Sequence, residues 1–260
     1  MIITGENWLK IILYTKVVFT MNFIYGIHPL IEAIQSGVRI YKILMKKSFN
    51  HQKLMLLIKS NEIPLQMVPL DKLNRLTRKN HQGVLALISP INFHRIENLL
   101  PIFSKNGKTP FLLILDGITD VLNFGAILRT AVCVGTDAVI ISTKETPYIG
   151  ADSIKTSSGA IFRIPICKEN DLKKTIFLLK NSGIRILAAT EKAKRLLWEE
   201  NLTVPLAFLL GSEKNGIHNK YITICDDKIK IPVHGVNSLN VSTACGIILY
   251  ETLRQRTIRS

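Results

Sequence analysis

The stretch FLLILDGITDVLNFGAILRT, Phe111 to Thr130, decides the fold class. Its first part, Phe111–Leu115, is a continuous apolar run, the pattern of a strand buried on both faces of a parallel sheet. Asp116-Gly117 then breaks the run. A helical pattern follows over Asn123–Val134, with Phe124, Ile127, Leu128 and Ala131 on one apolar face and Arg129 projecting off it. Asn123 stands where a side chain could cap that helix. Downstream, further apolar strands are predicted at Ala138–Ile141, Arg185–Ala189 and Leu206–Leu210, with helices at Asp171–Asn181 and Leu239–Arg254. Strands alternating with helices in this way predict an open parallel α/β sheet over residues 110–260.

Upstream, residues 22–90 read as a smaller α/β module. Ile27–Gln35 is helical and closed by Gly37, Ile40–Met45 has strand character, and Gln52–Lys59 is helical. Leu65–Val68 and Val84–Ile88 are short strands. Residues 91–109 are polar, carry Pro101 and Gly107, and are expected to be a linker. Residues 1–21 are expected to be an N-terminal extension, with a second Met at position 21 just before the fold begins. Lys10 and Lys16 interrupt their apolar run, and no segment reaches the roughly 18 uninterrupted apolar residues of a membrane span. The expectation is a soluble, cytoplasmic protein with no membrane partner.

Composition excludes several classes at once. Apolar residues make up 47% of the chain and charged residues 20%, which rules out disorder and collagen-like or mucin-like repeats. The formal net charge of +15 favours a polyanionic partner, nucleic acid or an anionic membrane surface. Cys133, Cys167, Cys225 and Cys245 form no C-x-x-C pair and read as ordinary buried thiols, neither a disulfide framework nor a metal site.

The absent motifs narrow the chemistry. No two glycines are spaced G-x-G, so the dinucleotide fingerprint is missing. Gly211 and Gly216 have P-loop spacing, but Ile217-His218 follow where Lys and Ser/Thr would have to stand. Three segments remain, each at or beyond the C-terminal end of an apolar strand, where open α/β sheets bind ligands. They are Asp116–Thr130, Leu209–Ile217 (LLGSEKNGI) and Ile231–Ala244 (IPVHGVNSLNVSTA). Taken singly, each has a plain explanation. Arg129 could be a solvated surface residue, Glu213 a carboxylate in a helix's first turn, Ser238 and Asn240 N-caps, and His234 a loop residue.

Together, in this order and spacing, the three segments resemble the signature motifs of the SpoU (TrmH) family of ribose 2′-O-methyltransferases. The resemblance runs from Asn22 to Arg256. Tyr25-Gly26-Ile27-His28 and His81-Gln82-Gly83-Val84 are similar to the two ends of the family's L30e-like RNA-binding module. Lys155–Ala160 with Arg163-Ile164-Pro165 resembles a further family stretch. The closing LYETLRQR is similar to the large-subunit branch, whose bacterial member methylates a guanosine in the peptidyl-transferase region of 23S rRNA. The resemblance implies an L30e-like domain followed by a methyltransferase domain with a C-terminal trefoil knot. It further implies a homodimer, S-adenosylmethionine as donor, RNA rather than DNA as partner, and no metal. Gly211, Ile231 and Leu239 match the donor-contacting positions. Asn123, Arg129, Glu213, Ser238 and Asn240 match the catalytic ones, the arginine reaching into the neighbouring subunit's site. Three features depart from the family: Val121 follows Asp120 where proline is usual, Lys214 stands where glycine is common, and only two residues, one fewer than usual, lie between Gly235 and Ser238.

The implied reaction attacks an already activated methyl with a weakly acidic alcohol. Arg129 has been cast in the family as the base, but a guanidinium keeps its proton at ordinary pH. The residue chemistry favours gripping a phosphate or steadying the developing alkoxide, with Glu213 and Asn123 orienting Arg129, and Ser238 or Asn240 lining the acceptor and the donor's methionine part. Three other readings compete: a tRNA 2′-O-methyltransferase, an inactive RNA-binding protein of the same fold, and a basic α/β protein with no donor site.

Overall fold

The computed structural model describes residues 22–105, 107, 109–235 and 238–258. The expected extension at 1–21 lies outside them, as do Val236 and Asn237 of the third motif. The chain divides into two compact units, one ending at Asn92 and one beginning at Phe93.

The first unit runs β1 (Asn22–Tyr25), α1 (Ile27–Gln35), β2 (Ile40–Lys46), α2 (Gln52–Ser60), β3 (Leu65–Val68), α3 (Leu70–Leu76) and β4 (Val84–Ile88). Its sheet has the order β1-β4-β2-β3, with β2 and β3 parallel and the other pairs antiparallel. Ile24, Ile43, Met45, Val84 and Ile88 from the sheet and Leu30, Leu54 and Leu73 from the helices form its core.

The His81-Gln82-Gly83 segment explains itself here. Gln82 and Gly83 both take positive φ (54° and 82°), reversing the chain into β4. The His81 ring locks that reversal: Nδ1 accepts from the Gly83 N–H at 3.0 Å, and Nε2 meets Asn74 Oδ1 of α3 at 3.0 Å. The Gln82 side chain accepts from the Ile27 N–H at the start of α1. Nδ1 can accept only from a neutral ring, and burial lowers the His81 pKa from its ordinary value. Between the lowered folded value and the unfolded value of about 6.5 the unfolded chain binds more protons. Stability from His81 is therefore present above about pH 6.5 and lost as pH falls through the folded value. Urea unfolding followed downward from neutral pH should show a falling midpoint that flattens in a His81→Gln variant; parallel curves for the two proteins would contradict this role.

The second unit continues with α4 (Ile96–Lys105), β5 (Phe111–Asp116), α5 (Val121–Cys133), β6 (Ala138–Ser142), α6 (Ala151–Thr156), a 3₁₀ turn (Ala160–Phe162), β7 (Ile166–Glu169) and α7 (Leu172–Asn181). Then come β8 (Arg185–Ala189), β9 (Arg195–Leu196), a second 3₁₀ turn (Leu197–Glu199), β10 (Leu206–Gly211), α8 (Asn219–Ile222), β11 (Asp227–Lys230) and α9 (Val241–Ile258). Its seven strands lie in the order β7-β6-β5-β10-β8-β11-β9, every pair parallel. All six residues of β5 are buried, as a central parallel strand requires.

The expected linker at 91–109 is a correction. His94 pairs with β7 through two backbone bonds, and α4 follows directly. The helix begins where it does because the buried Glu169 carboxylate accepts the Ile96 N–H at 2.8 Å. Ile96 and Phe103 then enter the core of the second unit with Leu172 and Ile176, and Leu99 and Leu100 pack against it. Pro101 reads as a breaker, yet the i, i+3, i+4, i+7 apolar spacing prevails over it.

Close packing fixes α5. A Cβ at Gly125 would lie 2.5 Å from Thr156 Cβ and 2.9 Å from the Ser157 backbone nitrogen. Helix α6 therefore approaches α5 too closely for any side chain. Gly125→Ala should destabilise by about 1–3 kcal/mol through overpacking, outweighing the roughly 1 kcal/mol of helix propensity gained. A denaturation midpoint at or above wild type would show that the two helices can part.

Candidate active site

Strands β5 and β10 run side by side in register, ending on the pair Asp116–Gly211. Their following loops, which carry the first two motifs, therefore leave the same edge of the sheet together. After β5 the chain turns through Gly117 (φ 70°), and Asp120, not Asn123, caps α5: its carboxylate accepts the Asn123 N–H at 2.7 Å. Val121 then holds the first helical position, where proline is favoured but not required, which makes the departure from the family harmless.

Relieved of capping, the Asn123 side chain donates to Glu213 Oε1 at 2.8 Å and accepts from Asn240 Nδ2 at 3.0 Å. Asn240 Nδ2 also donates to Glu213 Oε1, at 2.6 Å. One residue from each motif thus meets in a closed triangle. Asn240 fills its plain role as well, since its Oδ1 accepts from the N–H groups of Ser242 and Thr243 at the start of α9. Capping and site-building are two halves of one side-chain amide.

The Glu213 loop folds tightly. Ser212 and Gly216 exchange two backbone bonds, and a Cβ on Gly211 would fall 2.1 Å from the Gly216 carbonyl carbon. Positive φ falls on Gly216 (64°) and not on Lys214, so lysine is tolerated where the family has glycine.

Beside the triangle lies a cavity of about 620 Å³, within the range of small-molecule sites. Gly211, Ile231 and Leu239 line it, together with Ser238, Glu213 and His218. Ile217, Ile229, Val241 and Ile248 give it apolar walls, while Thr190, Glu191 and Lys192 add polar groups. Such a lining suits a ligand that combines an apolar part with charged, hydrogen-bonding groups.

Arg129 stands apart from this assembly. It is exposed, and its Nη1 donates to Ser158 Oγ at 3.4 Å, Ser158 itself taking a positive φ of 53°. The expectation that Asn123 and Glu213 orient Arg129 does not hold within the chain. Six positions along a helix amount to roughly 240° of net rotation and about 9 Å of rise, so Asn123 and Arg129 face different ways.

The motif reading passed over Asp116 and His218. The Asp116 carboxylate, 3% exposed, accepts from the His218 backbone N–H at 2.8 Å and meets its ring Nδ1 at 2.9 Å. Among the described residues, Asp116, Glu145 and His218 bring ligand atoms within 4.8 Å of one another. Both Asp116 oxygens already meet His218 Nδ1, so the cluster reads as a hydrogen-bonded pair before a metal cradle. Burial pushes the thiols of Cys167, Cys225 and Cys245 up to about 12, in Cys167 with help from Glu169, which keeps all three protonated at neutral pH. Cys133 is exposed and Cys225 half-buried, against the expectation of four buried thiols.

Residues 110–250 match the model of the SpoU rRNA methylase family. The chain belongs to that family. Residues 23–94 match a second model, that of the substrate-binding part of RNA 2′-O ribose methyltransferases. This SpoU protein is thus an RNA ribose 2′-O-methyltransferase, with a substrate-binding unit ahead of its catalytic one. A Staphylococcus epidermidis relative is 37% identical over 238 residues, covering 90% of this chain and 95% of its own. Bacillus subtilis YacO is 31% identical over 239 residues, covering 90% and 96%. The names of both assign them provisionally to the TrmH family of tRNA/rRNA methyltransferases. Among solved structures, the SpoU methyltransferase AviRb of Streptomyces viridochromogenes superposes with a TM-score of 0.80 at 21% identity, over 94% of this chain and 93% of that one. That likeness confirms the fold. No helix among the described residues is long and apolar enough to cross a membrane.

Proposed function

We propose that this SpoU protein methylates the ribose 2′-hydroxyl of a guanosine in the peptidyl-transferase region of 23S rRNA, as a cytoplasmic homodimer using S-adenosylmethionine. The observation that carries the reading is Glu213, which lines the cavity and also accepts from both Asn123 and Asn240. The donor pocket and the catalytic cluster thus share a carboxylate. The cavity suits the donor: apolar walls for the adenine, with Glu213 and Ser238 for the charged part. An AdoMet-bound rRNA methyltransferase from Sinorhizobium meliloti and AviRb with AdoMet have the same fold, at TM-scores of 0.77 and 0.79. The donor, when bound, supplies a methyl group already activated by a sulfonium.

In this reading Gly211, Ile231 and Leu239 hold the donor, and Ser238 lines the path to the acceptor. Glu213, fixed by the two asparagines, keeps a negative charge at the cavity. Arg129 acts across the dimer, where its planar cation meets the partner subunit's cluster and steadies either a phosphate or the developing alkoxide. RNA is the acceptor because DNA has no 2′-hydroxyl to offer. The trefoil knot of the family would close the chain around the donor.

The size of the chain favours rRNA over tRNA. The tRNA-modifying TrmH/SpoU enzyme of A. aeolicus matches 63% of this chain, whereas the S. meliloti rRNA enzyme matches 91%. Mapping ribose methylation across total RNA, with and without the protein, tests the reading. A single 2′-O-methylguanosine lost from 23S rRNA supports it; a site lost from tRNA instead, or no site lost, overturns the substrate assignment.

A further inference from the structure

We infer that Asp116 and His218 are a positioning pair for methyl transfer, anchoring the exit of the Ser212–Gly216 loop so that Glu213 stays where Asn123 and Asn240 meet it. The inference rests on the role proposed above for Glu213.

The loop is a closed unit with two ends. Its own bonds run from Ser212 to Gly216 and back, at 3.1 and 2.8 Å, and the Asn215 N–H reaches Ser212 Oγ at 3.2 Å. At the entry, Gly211 is held by strand pairing with Asp116. At the exit, the chain is held again by Asp116, this time through its carboxylate, which takes the His218 N–H and faces the ring Nδ1. One buried residue of β5 therefore fixes both ends of the loop that carries Glu213. Ile217, buried in the core, and His218, held by Asp116, together set where the loop ends.

The imidazole adds something a backbone N–H alone does not. Nδ1 carries the proton that Asp116 accepts, which leaves Nε2 pointing toward Glu145 Oε2, 3.8 Å away, from the loop after β6. The Tyr221 ring meets the imidazole edge-on at 6.0 Å and completes its surroundings. The ring thus bonds to the end of β5 and lies close to the loop after β6, beside the cavity. A carboxylate as buried as Asp116 needs those donors, because an unpaired charge there would be costly.

The test combines amide hydrogen exchange with a double-mutant cycle on single-turnover methylation and donor titration. Asp116→Ala should speed exchange at Asn215 and Gly216, and lower turnover about 10-fold or more. Donor affinity should fall as well, by no more than Glu213→Ala lowers it, because Glu213 also lines the cavity. Asp116→Asn keeps a carbonyl acceptor for the His218 N–H and should recover most of the loss. In a Glu213→Ala background, Asp116→Ala should cost nothing further, since the pair acts only through Glu213. A full additional loss in that background overturns the inference, as does unchanged turnover with a loosened loop. Should Asp116→Ala not fold, His218→Ala enters the same cycle; it keeps the backbone bond and should show the same pattern at smaller size. Unchanged exchange in either variant overturns the anchor whether or not the protein is active. If wild type methylates no RNA while the variants still loosen the loop, the functional reading falls and the anchor stands.

Discussion

Glu213→Ala should lower single-turnover methylation by about 10²–10³, the usual cost of losing a preorganised polar contact in a transition state. Three effects act together in that variant. The amides of Asn123 and Asn240 lose their shared acceptor, the cavity loses a negative charge, and the contact joining all three motifs is gone. Glu213→Gln separates geometry from charge. A glutamine carbonyl can still accept from both amides, so the triangle persists while the charge is removed. If Glu213 serves only to hold the asparagines, Glu213→Gln keeps most of its turnover. If its charge is what counts, whether toward the sulfonium or toward an arginine, Glu213→Gln falls with Glu213→Ala. Near-wild-type turnover in Glu213→Ala would remove the triangle from the chemistry altogether.

Much of the fold could be read from hydrophobic pattern alone. Central parallel strands such as Phe111–Asp116 and Leu206–Gly211 are buried on both faces, so their apolar runs are unbroken and their ends nearly legible. Short elements at or next to the sheet's edge carry no such signal. Arg195–Leu196 and Asp227–Lys230 are strands because of their neighbours, with charged residues among those few positions. Helix Ile96–Lys105 was hidden by Pro101, and its true start depends on Glu169, 73 residues away in the chain. The site divides in the same way. Resemblance to the SpoU motifs brought forward Asn123, Glu213 and Asn240, but which of Asp120 and Asn123 caps the helix is decided by local backbone geometry. The Asp116–His218 pair spans 102 residues and was invisible, because only the register of two parallel strands brings those positions together. Arg129 was legible as a residue type and not as a location.

That location makes the remaining prediction the most discriminating. Arg129→Ala should lose about 10²–10³ in rate. Within one chain Arg129 reaches Ser158 and not the triangle, so its action on the cluster requires a second copy. Mixing Arg129→Ala with Glu213→Ala protein tests this directly. In a two-fold dimer, half of randomly mixed pairs are heterodimers with one complete composite site out of two, so about a quarter of wild-type activity should return. If Arg129 acts in its own chain, no mixed pair contains a complete site and nothing returns. The chemical role then follows from Arg129→Lys. Lysine keeps the charge but loses the planar fork, so a fixed cation would leave measurable turnover where alanine leaves far less. If Arg129 is instead the base, the lysine variant should gain rate with rising pH in a way wild type does not, because lysine titrates at lower pH than arginine. Near-wild-type rates for Arg129→Ala would return this residue to the solvated surface.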